Sequence, residues 1–271
     1  MSTVRPAAVA GVFYPESRAV LAHEVTVLLD SARGRTAPLQ ALPKALIVPH
    51  AGYIYSGPVA ASAYALLEAG RKTYRRVVLL GPVHRVPVRG LALPGVDAFA
   101  TPLGTIAIDR ELVETLAGLP QVVEFAAAHA WEHSLEVQLP FLQTVLDDFT
   151  LLPLAVGDAT AQDVAEVLER VWGGAETLIV ISSDLSHFHA YREAQAIDSA
   201  TAQAILDLRV GVSHEQACGG TPLNGLLQAA RRHGLQPRLL DLRNSGDTAG
   251  DHARVVGYAA FAFSGGDEHV Q

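Results

Sequence analysis

Residues 177–187, TLIVISSDLSH, place an apolar run directly before polar residues and a histidine. The same order recurs in residues 44–50, KALIVPH, and in residues 75–84, RRVVLLGPVH. Each run lacks the alternation of apolar and polar residues, which is typical of strands covered on both faces of a sheet. The runs are also far shorter than the roughly 20 residues that a membrane-spanning helix needs. They predict buried strands and no membrane segment.

Stretches with a helical spacing of apolar residues lie between these runs, for example Leu135, Leu139 and Leu142. This alternation predicts an α/β fold with a mixed, largely parallel central sheet flanked by helices. The predicted strands are 44–49, 76–81, 88–93, 104–108, 149–156, 177–182, 236–242 and 254–263, and the predicted helices are 17–32, 57–69, 109–118, 132–147, 160–172, 191–209 and 220–234. Residues 94–104 are punctuated by glycine and proline and predict a hairpin or an excursion rather than a domain boundary.

Length and composition limit the class of protein. A chain of 271 residues with 49% hydrophobic residues buries roughly 75% of its unfolded surface, so we expect a single domain over 1–271 with a frayed tail at 264–271. The single cysteine, Cys218, allows no internal disulfide, which favours a cytoplasmic location. The net charge of -8 opposes binding to nucleic acid. The N-terminal residues have no uninterrupted apolar core of a signal peptide.

Four side chains that can bind metals follow four predicted strands. They are His50, His84, His187 and Asp247. In open α/β sheets ligands bind outside the carboxyl ends of the strands, so the four groups converge if these strands are parallel. Two imidazoles and a carboxylate leave open positions on a divalent ion, as in non-haem Fe(II) oxygenases and some catalytic zinc sites. The remaining histidine is then available to move protons.

Each of these residues also has a structural interpretation. A single histidine beside a Gly/Pro turn is usually a hydrogen-bonding residue, and Asp247 fits a turn or helix cap equally well. The serines of residues 182–187 raise the possibility of a hydrolase triad, but no Gly-x-Ser-x-Gly turn surrounds them. Glu132, Ser134 and Glu136 fit the start of a helix. His133, between Trp131 and Leu135, is a candidate for the pocket itself or for its immediate surroundings.

Several ordered segments resemble one known family. The segments are RPAAVAGVFYP, VPHAGYIYSGPVAA, LLGPVHR, EHSLEVQLPFLQ, ISSDLSHF and VVGYAAFAF. Together they resemble the Memo family, which includes protein B of the AmmeMemoRadiSam system, from about residue 5 to 263. The resemblance implies a fold like that of class III extradiol dioxygenases. It also implies that His50 and His84 are metal ligands and that His187 is the acid/base.

Asp247 departs from the animal members of that family, which look to carry a cysteine at this position. A carboxylate favours a harder ion, so the expected metal is Fe(II), while Zn, Mn or Cu also fit. The departure also weakens any copper-redox role inferred from animal relatives.

The leading hypothesis is a metal-dependent oxidoreductase related to extradiol dioxygenases, with Fe(II) on His50, His84 and Asp247. His187 would transfer protons and His133 would support it as a donor. Four further residues are expected to line the pocket, namely Tyr53, Tyr55, Asp184 and Phe188.

Two other functions remain open. The same cleft would serve a non-catalytic module that binds a small molecule, a peptide or a radical-SAM partner protein, and a Lewis-acidic ion would also serve a hydrolase. The sequence shows no heptad pattern, so we expect a monomer or a weak dimer.

Overall fold

The computed structural model describes residues 3–35 and 41–265, which form a mixed sheet with helices on both faces. The strands are β1 (Val4–Arg5), β2 (Ala45–Val48), β3 (Arg76–Pro82), β4 (Leu91–Leu93), β5 (Ala98–Thr101), β6 (Gly104–Ala107), β7 (Val122–Glu124), β8 (Thr150–Val156), β9 (Thr177–Ser182), β10 (His187–His189), β11 (Leu235–Asn244) and β12 (Val255–Gly265). The α-helices are α1 (Arg18–Arg33), α2 (Tyr53–Tyr64), α3 (Arg110–Thr115), α4 (Ala126–Ala130), α5 (Leu139–Val145), α6 (Ala161–Arg170), α7 (Tyr191–Leu206) and α8 (Gly220–Arg232), and three 3-10 helices cover Ala65–Gly70, Glu136–Gln138 and Ser245–Asp247.

The large sheet has the strand order β10-β12-β2-β9-β3-β8-β4-β7, and β11 pairs with β12. The four central strands β2, β9, β3 and β8 are parallel to one another. β12 runs antiparallel to β2, and β4 runs antiparallel to β8. The predicted fold class is therefore confirmed: the sheet is mixed, with a parallel centre.

Two apolar cores, one on each face, explain why the strands lack alternation. Leu46 and Val48 of β2 join the core beneath α1, α2 and α5, whereas Ile47 joins the core beneath α6 and α8. Successive side chains of a strand point to opposite faces, so a strand covered on both sides must be apolar at every position. All four residues of β2 are fully buried.

The predicted helix 132–147 is wrong at its beginning. Residues 131–138 form turns and a 3-10 helix, and α5 begins only at Leu139, with Pro140 in its first turn. Glu136 explains the interruption, because its buried carboxylate accepts hydrogen bonds from Arg5, Tyr14 and the backbone of Val9. This contact ties the segment to the N-terminal residues instead of leaving it free to wind into a helix.

The remaining elements differ from the prediction mainly at short strands. The hairpin predicted in 94–104 is present as β5 and β6, and β5 also pairs with β1 in a separate small sheet. β1, β5, β7 and β10, of two to four residues, were not predicted. Ser264 and Gly265, expected to fray, belong to β12, and the rest of the predicted tail lies outside the described residues. In the described ranges, no helix combines the length and apolar character needed to cross a membrane.

Candidate metal centre

Three histidines meet at the carboxyl edge of the parallel strands. His50 follows β2 and His84 follows β3, while His133 comes from the turn segment before α5. One ring nitrogen from each lies within 4.8 Å of the other two. The ring centroids of His84 and His133 are 4.6 Å apart, and that of His50 is 5.2 Å from His84 and 5.4 Å from His133. In the described part of the chain, this is the group of His, Cys, Asp or Glu side chains that together can hold one metal ion.

The tautomer of His50 follows from its hydrogen bonds. Its Nδ1 lies 2.9 Å from Ser182 Oγ, and that hydroxyl donates its hydrogen to the carbonyl of Ser134. Ser182 therefore accepts a hydrogen bond from Nδ1–H, and Nε2 keeps its lone pair. Burial, followed by the neighbouring His84 and His133, lowers the pKa of His50 well below its ordinary value. The ring is neutral and its free nitrogen can bind a metal.

Glu132 orients the second histidine. Its Oε1 accepts a hydrogen bond from His84 Nδ1 at 2.9 Å, and its Oε2 accepts one from the His84 backbone at 2.6 Å. Burial by itself raises the pKa of this carboxyl, but the His133 and His84 groups beside it outweigh burial and hold its pKa well below its ordinary range. The ionised carboxylate fixes the proton of His84 on Nδ1, which leaves Nε2 free for an ion, as in carboxylate–histidine–metal arrangements.

The Nδ1 of His133 lies beside a carboxylate but has no aligned hydrogen-bond partner among the described residues. It is buried and lies 3.2 Å from Glu132 Oε1, outside hydrogen-bond alignment. The ring packs on Phe13, with 4.5 Å between the centroids. In native proteins a buried nitrogen without a hydrogen-bond partner is explained by a further group such as an ordered water or an ion. The three imidazoles therefore fit a divalent ion.

Asp247 lies apart from this group, which corrects the predicted ligand set. One carboxylate oxygen accepts a hydrogen bond from Tyr191 and the other accepts one from the backbone of Asn244, so the residue caps the 3-10 helix in which it lies. Asp247 follows β11, and β12 separates β11 from β2. Because neighbouring strands are about 4.8 Å apart, β11 ends roughly 10 Å from β2. The structure brings His133 to the two other histidines in its place.

His187 and Asp184 come from the segment that follows β9. His187 is half-buried and donates from Nδ1 to the carbonyl of Leu185 at 2.8 Å, which leaves Nε2 with its lone pair. Its ring lies close enough to His50 and Asp184 to influence both groups electrostatically. Asp184 is buried and accepts a hydrogen bond from the His50 backbone at 2.7 Å, and burial raises the pKa of its carboxyl. Both residues therefore lie beside the three histidines.

The three aromatic residues predicted to line the pocket, Tyr53, Tyr55 and Phe188, lie in different environments. Tyr53 belongs to the core, since its ring packs on Phe141 and its hydroxyl donates to the carbonyl of Val137. This corrects its assignment to the pocket. Tyr55 and Phe188 are exposed, Phe188 at 61%, and the Phe188 ring contacts His187 and the guanidinium of Arg254. Phe188 also has a φ of 63°, which is rare outside glycine.

A cavity of about 460 Å³ opens beside His84. Its lining also includes Arg85, Asp158, His214 and Cys218. The sulfur of Cys218 lies 3.2 Å from His50 Nε2, and burial raises the pKa of the thiol to about 12. No local sequence pattern indicates this neighbour, because 168 positions separate the two residues.

Glu132, Ser182 and Gln138 were also missed as groups that orient the histidines. Gln138 donates to both the Ser182 hydroxyl and the carbonyl of Pro49. The sequence held one signal for Glu132, its position directly before a histidine. Glutamate is also common at the start of a helix, so the sequence pattern alone favours that structural role.

Comparison with known proteins places the chain in one family. The family model described as Memo-like protein matches residues 5–262. A MEMO1 family protein of Aquifex aeolicus is 38% identical over 272 residues, which cover 96% of this chain and 99% of that one. A MEMO1 family protein of Methanosarcina barkeri is 37% identical over 274 residues, covering 95% and 98%.

A solved structure supports the fold alone. The uncharacterized protein JW3007 from Escherichia coli K12 aligns with a TM-score of 0.50 and 15% identity, covering 81% of this chain and 99% of that one.

Proposed function

Because the chain belongs to the Memo family, we propose that it is a metal-dependent enzyme whose oxidoreductase chemistry is related to that of extradiol dioxygenases. The observation that carries the proposal is the group of three ring nitrogens within 4.8 Å. Two of the three histidines are held by hydrogen bonds in the tautomer that leaves a nitrogen free. Such preorganised ligands are typical of functional metal sites.

The proposed ligands are His50, His84 and His133. A bound divalent ion supplies a Lewis-acidic or redox-active centre with open positions for a substrate. Imidazole suits Fe, Zn and Cu, whereas Mn(II) prefers oxygen ligands, so the loss of Asp247 from the set weakens the expectation of Mn. Fe(II) remains the proposed metal, because the dioxygenase resemblance implies it.

His187 is the proposed acid/base. Its Nε2 lone pair is available, because Nδ1 donates to the carbonyl of Leu185. A substrate hydroxyl near the three histidines can pass its proton to this nitrogen. The exposed rings of Tyr55 and Phe188 provide apolar surface for a small molecule or a peptide side chain. Asp184, held by the His50 backbone, is a second buried group that can exchange a proton.

Metal analysis of protein purified without oxygen tests the ligand set. We expect one ion per chain in the wild type and in Asp247→Ala, because Asp247 caps a turn. His50→Ala, His84→Ala and His133→Ala should each lose the ion. Loss of metal in Asp247→Ala with retention in His133→Ala would restore the set predicted from the sequence.

Turnover, measured together with metal content, distinguishes the acid/base residue from the metal ligands. With metal-loaded protein and catechol-like compounds in air, His187→Ala should retain its metal while oxidation slows by roughly 10²–10⁴-fold, the usual contribution of a positioned acid/base. A His187→Ala variant without metal would make His187 a ligand. If neither His187→Ala nor the three ligand variants changed the metal content, the metal site itself would be refuted.

A hydrolase is the second candidate, and the donor set favours it. Three histidines with an open position are the ligands of catalytic zinc in enzymes that activate water. Hydrolysis of an ester or amide by the zinc-loaded protein under anaerobic conditions would support this function. Activity that requires oxygen would instead support the oxidoreductase.

A further inference from the structure

A second cavity is formed by the N-terminal segment and α4, and among the described residues none lines both this cavity and the one beside His84. This N-terminal cavity is lined by residues 4–8, Pro94, Val96, Ala126 and residues 129–131, and its volume is about 330 Å³. Four alanines, two valines, two prolines and a tryptophan make the lining mainly apolar. Cavities of roughly 300–1,000 Å³ with this character are typical of sites for small molecules.

The described residues that line the N-terminal cavity offer a ligand no free charge. Arg5 and His129 are its ionisable lining residues. The guanidinium of Arg5 forms a buried ion pair with Glu136 and also donates to the carbonyls of His129 and Glu132. Burial lowers the pKa of His129 to about 4, so its ring is neutral at pH 7. Because a charged ligand would leave water without gaining a partner, the cavity favours a neutral one.

His129 carries a hydrogen-bond acceptor that the polypeptide does not use. Its Nε2 lies 2.8 Å from the carbonyl of Ala92 and carries the proton, because a carbonyl can only accept. Nδ1 therefore has a lone pair, and in the described part of the chain this buried atom has no hydrogen-bond partner. Such an atom is explained by a further group, such as an ordered water or a ligand. A ligand in this role needs one hydroxyl or N–H group as the donor.

Trp131 gives the cavity an aromatic edge. Its side chain lines the cavity, yet the residue is 66% exposed. Aromatic rings that pack on one another in stacked or edge-to-face arrangements gain stability beyond the burial of their surface. A flat aromatic ligand would cover part of this exposed ring. The edge of the cavity therefore favours an aromatic ligand over an aliphatic chain.

We propose that the N-terminal cavity binds a small neutral aromatic molecule with one hydroxyl or N–H group, which packs against Trp131 and donates its hydrogen to His129 Nδ1. The binding is non-covalent and uses none of the proposed metal ligands. It goes beyond the proposed oxidoreductase function and does not depend on it. The metal-free protein should therefore bind such a molecule.

Indole and 1-methylindole test the proposal as a matched pair of probes, since they share a ring system but only indole has an N–H donor. Titration calorimetry of the metal-free protein should give a Kd of about 1 mM or lower for indole. Binding of 1-methylindole should be roughly 3–10-fold weaker, the effect of one lost hydrogen bond. In His129→Phe, which keeps a planar ring without an acceptor, the two probes should bind equally. The comparison of the probes in the wild type remains decisive if this variant does not fold.

Two further variants locate the bound probe. Ala126 and Ala127 are neighbouring exposed residues of α4, but Ala126 lines the cavity and Ala127 does not. Ala126→Phe should abolish measurable indole binding, because the larger side chain takes the space of the ligand. Ala127→Phe is the control and should bind indole as the wild type does.

Three results would each overturn the proposal: no indole binding by the wild type, equal affinities of the wild type for the two probes, or unchanged indole binding in Ala126→Phe. His84→Ala should bind indole as the wild type does, because His84 does not line the N-terminal cavity. Failure of the metal site would therefore leave indole binding intact, and failure of indole binding would leave the metal site intact.

Discussion

Glu132 is the residue through which His84 and His133 are positioned together. Its Oε1 accepts hydrogen bonds from His84 Nδ1 and from the backbone of His133 and Ser134. Only 2% of Glu132 is exposed, so water cannot take the place of its carboxylate as the acceptor of these hydrogen bonds. An ionised acceptor in such a place both fixes the ring of His84 and increases the basicity of its free nitrogen.

Glu132→Gln removes this charge while keeping the size of the side chain. Glutamine carries an NH2 group in place of one carboxylate oxygen. This group would face N–H donors and could not accept their hydrogen bonds. We expect zinc affinity to fall by roughly 10–100-fold, measured by competition with a chelator of known affinity. Glu114→Gln, on the exposed face of α3, removes the same charge away from the site and should bind zinc as the wild type does. Equal affinities in the two variants would show that Glu132 does not support the site.

At the scale of elements, the segment between β3 and β4 carries His84 and depends on one glycine. The backbone of this segment exchanges hydrogen bonds with Gly157 and Asp158, just after β8. A Cβ added to Gly157 would lie 2.1 Å from the carbonyl oxygen of Val88. The partner atom is backbone, so a side chain there must displace the whole segment.

Gly157→Ala should therefore weaken both the fold and the site. We expect a loss of roughly 1–3 kcal/mol in the free energy of unfolding, the usual cost of overpacking, and weaker zinc binding because His84 moves. Urea denaturation and zinc titration measure the two effects. Gly34→Ala is the control: Gly34 has helical backbone angles and no atom within 4 Å of an added Cβ. This change should stabilise the protein by roughly 0.4–1 kcal/mol. Wild-type stability in Gly157→Ala would contradict the close packing.

At the scale of the whole molecule, burying histidines makes the fold sensitive to acid. Burial lowers the pKa of His129 from 6.5 to about 4, and its Nε2 donates to the carbonyl of Ala92. Between pH 6.5 and pH 4, His129 is protonated in the unfolded chain but stays neutral in the folded protein. The stability that the buried, neutral His129 contributes is therefore complete above pH 6.5 and is lost as the pH falls toward 4. This shift in the pKa of His129 corresponds to a change of about 3 kcal/mol in the free energy of unfolding.

His129→Gln tests this dependence in the metal-free protein. The glutamine amide can donate to the carbonyl of Ala92 but does not titrate. The free energy of unfolding should therefore fall by about 3 kcal/mol less in the variant than in the wild type between pH 7 and pH 4. His50, whose pKa is also lowered by burial, keeps part of the acid sensitivity. His23→Gln, at an exposed position, should follow the wild-type curve. Parallel curves for wild type and His129→Gln would refute the assignment.

The amino-acid sequence by itself determined the central sheet and two of the three clustered histidines. Runs such as residues 45–48 have no polar position that could face water, so they can only be strands buried on both sides. His50 and His84 directly follow two of these runs, and the polarity of parallel strands brings such residues to one edge. Local pattern was sufficient here because strand type and strand direction are local consequences of composition and of the connecting helices.

Only the tertiary structure decided the third histidine, the cysteine beside it and the position of Asp247. β12 comes from the end of the chain yet pairs between β2 and β11, which moves Asp247 away from the strands that carry the other groups. His133 reaches the cluster because Arg5, 131 positions earlier than its partner Glu136, holds the segment out of a helix. Strand order and such distant ion pairs depend on packing between remote parts of the chain, and no local pattern of residues encodes them.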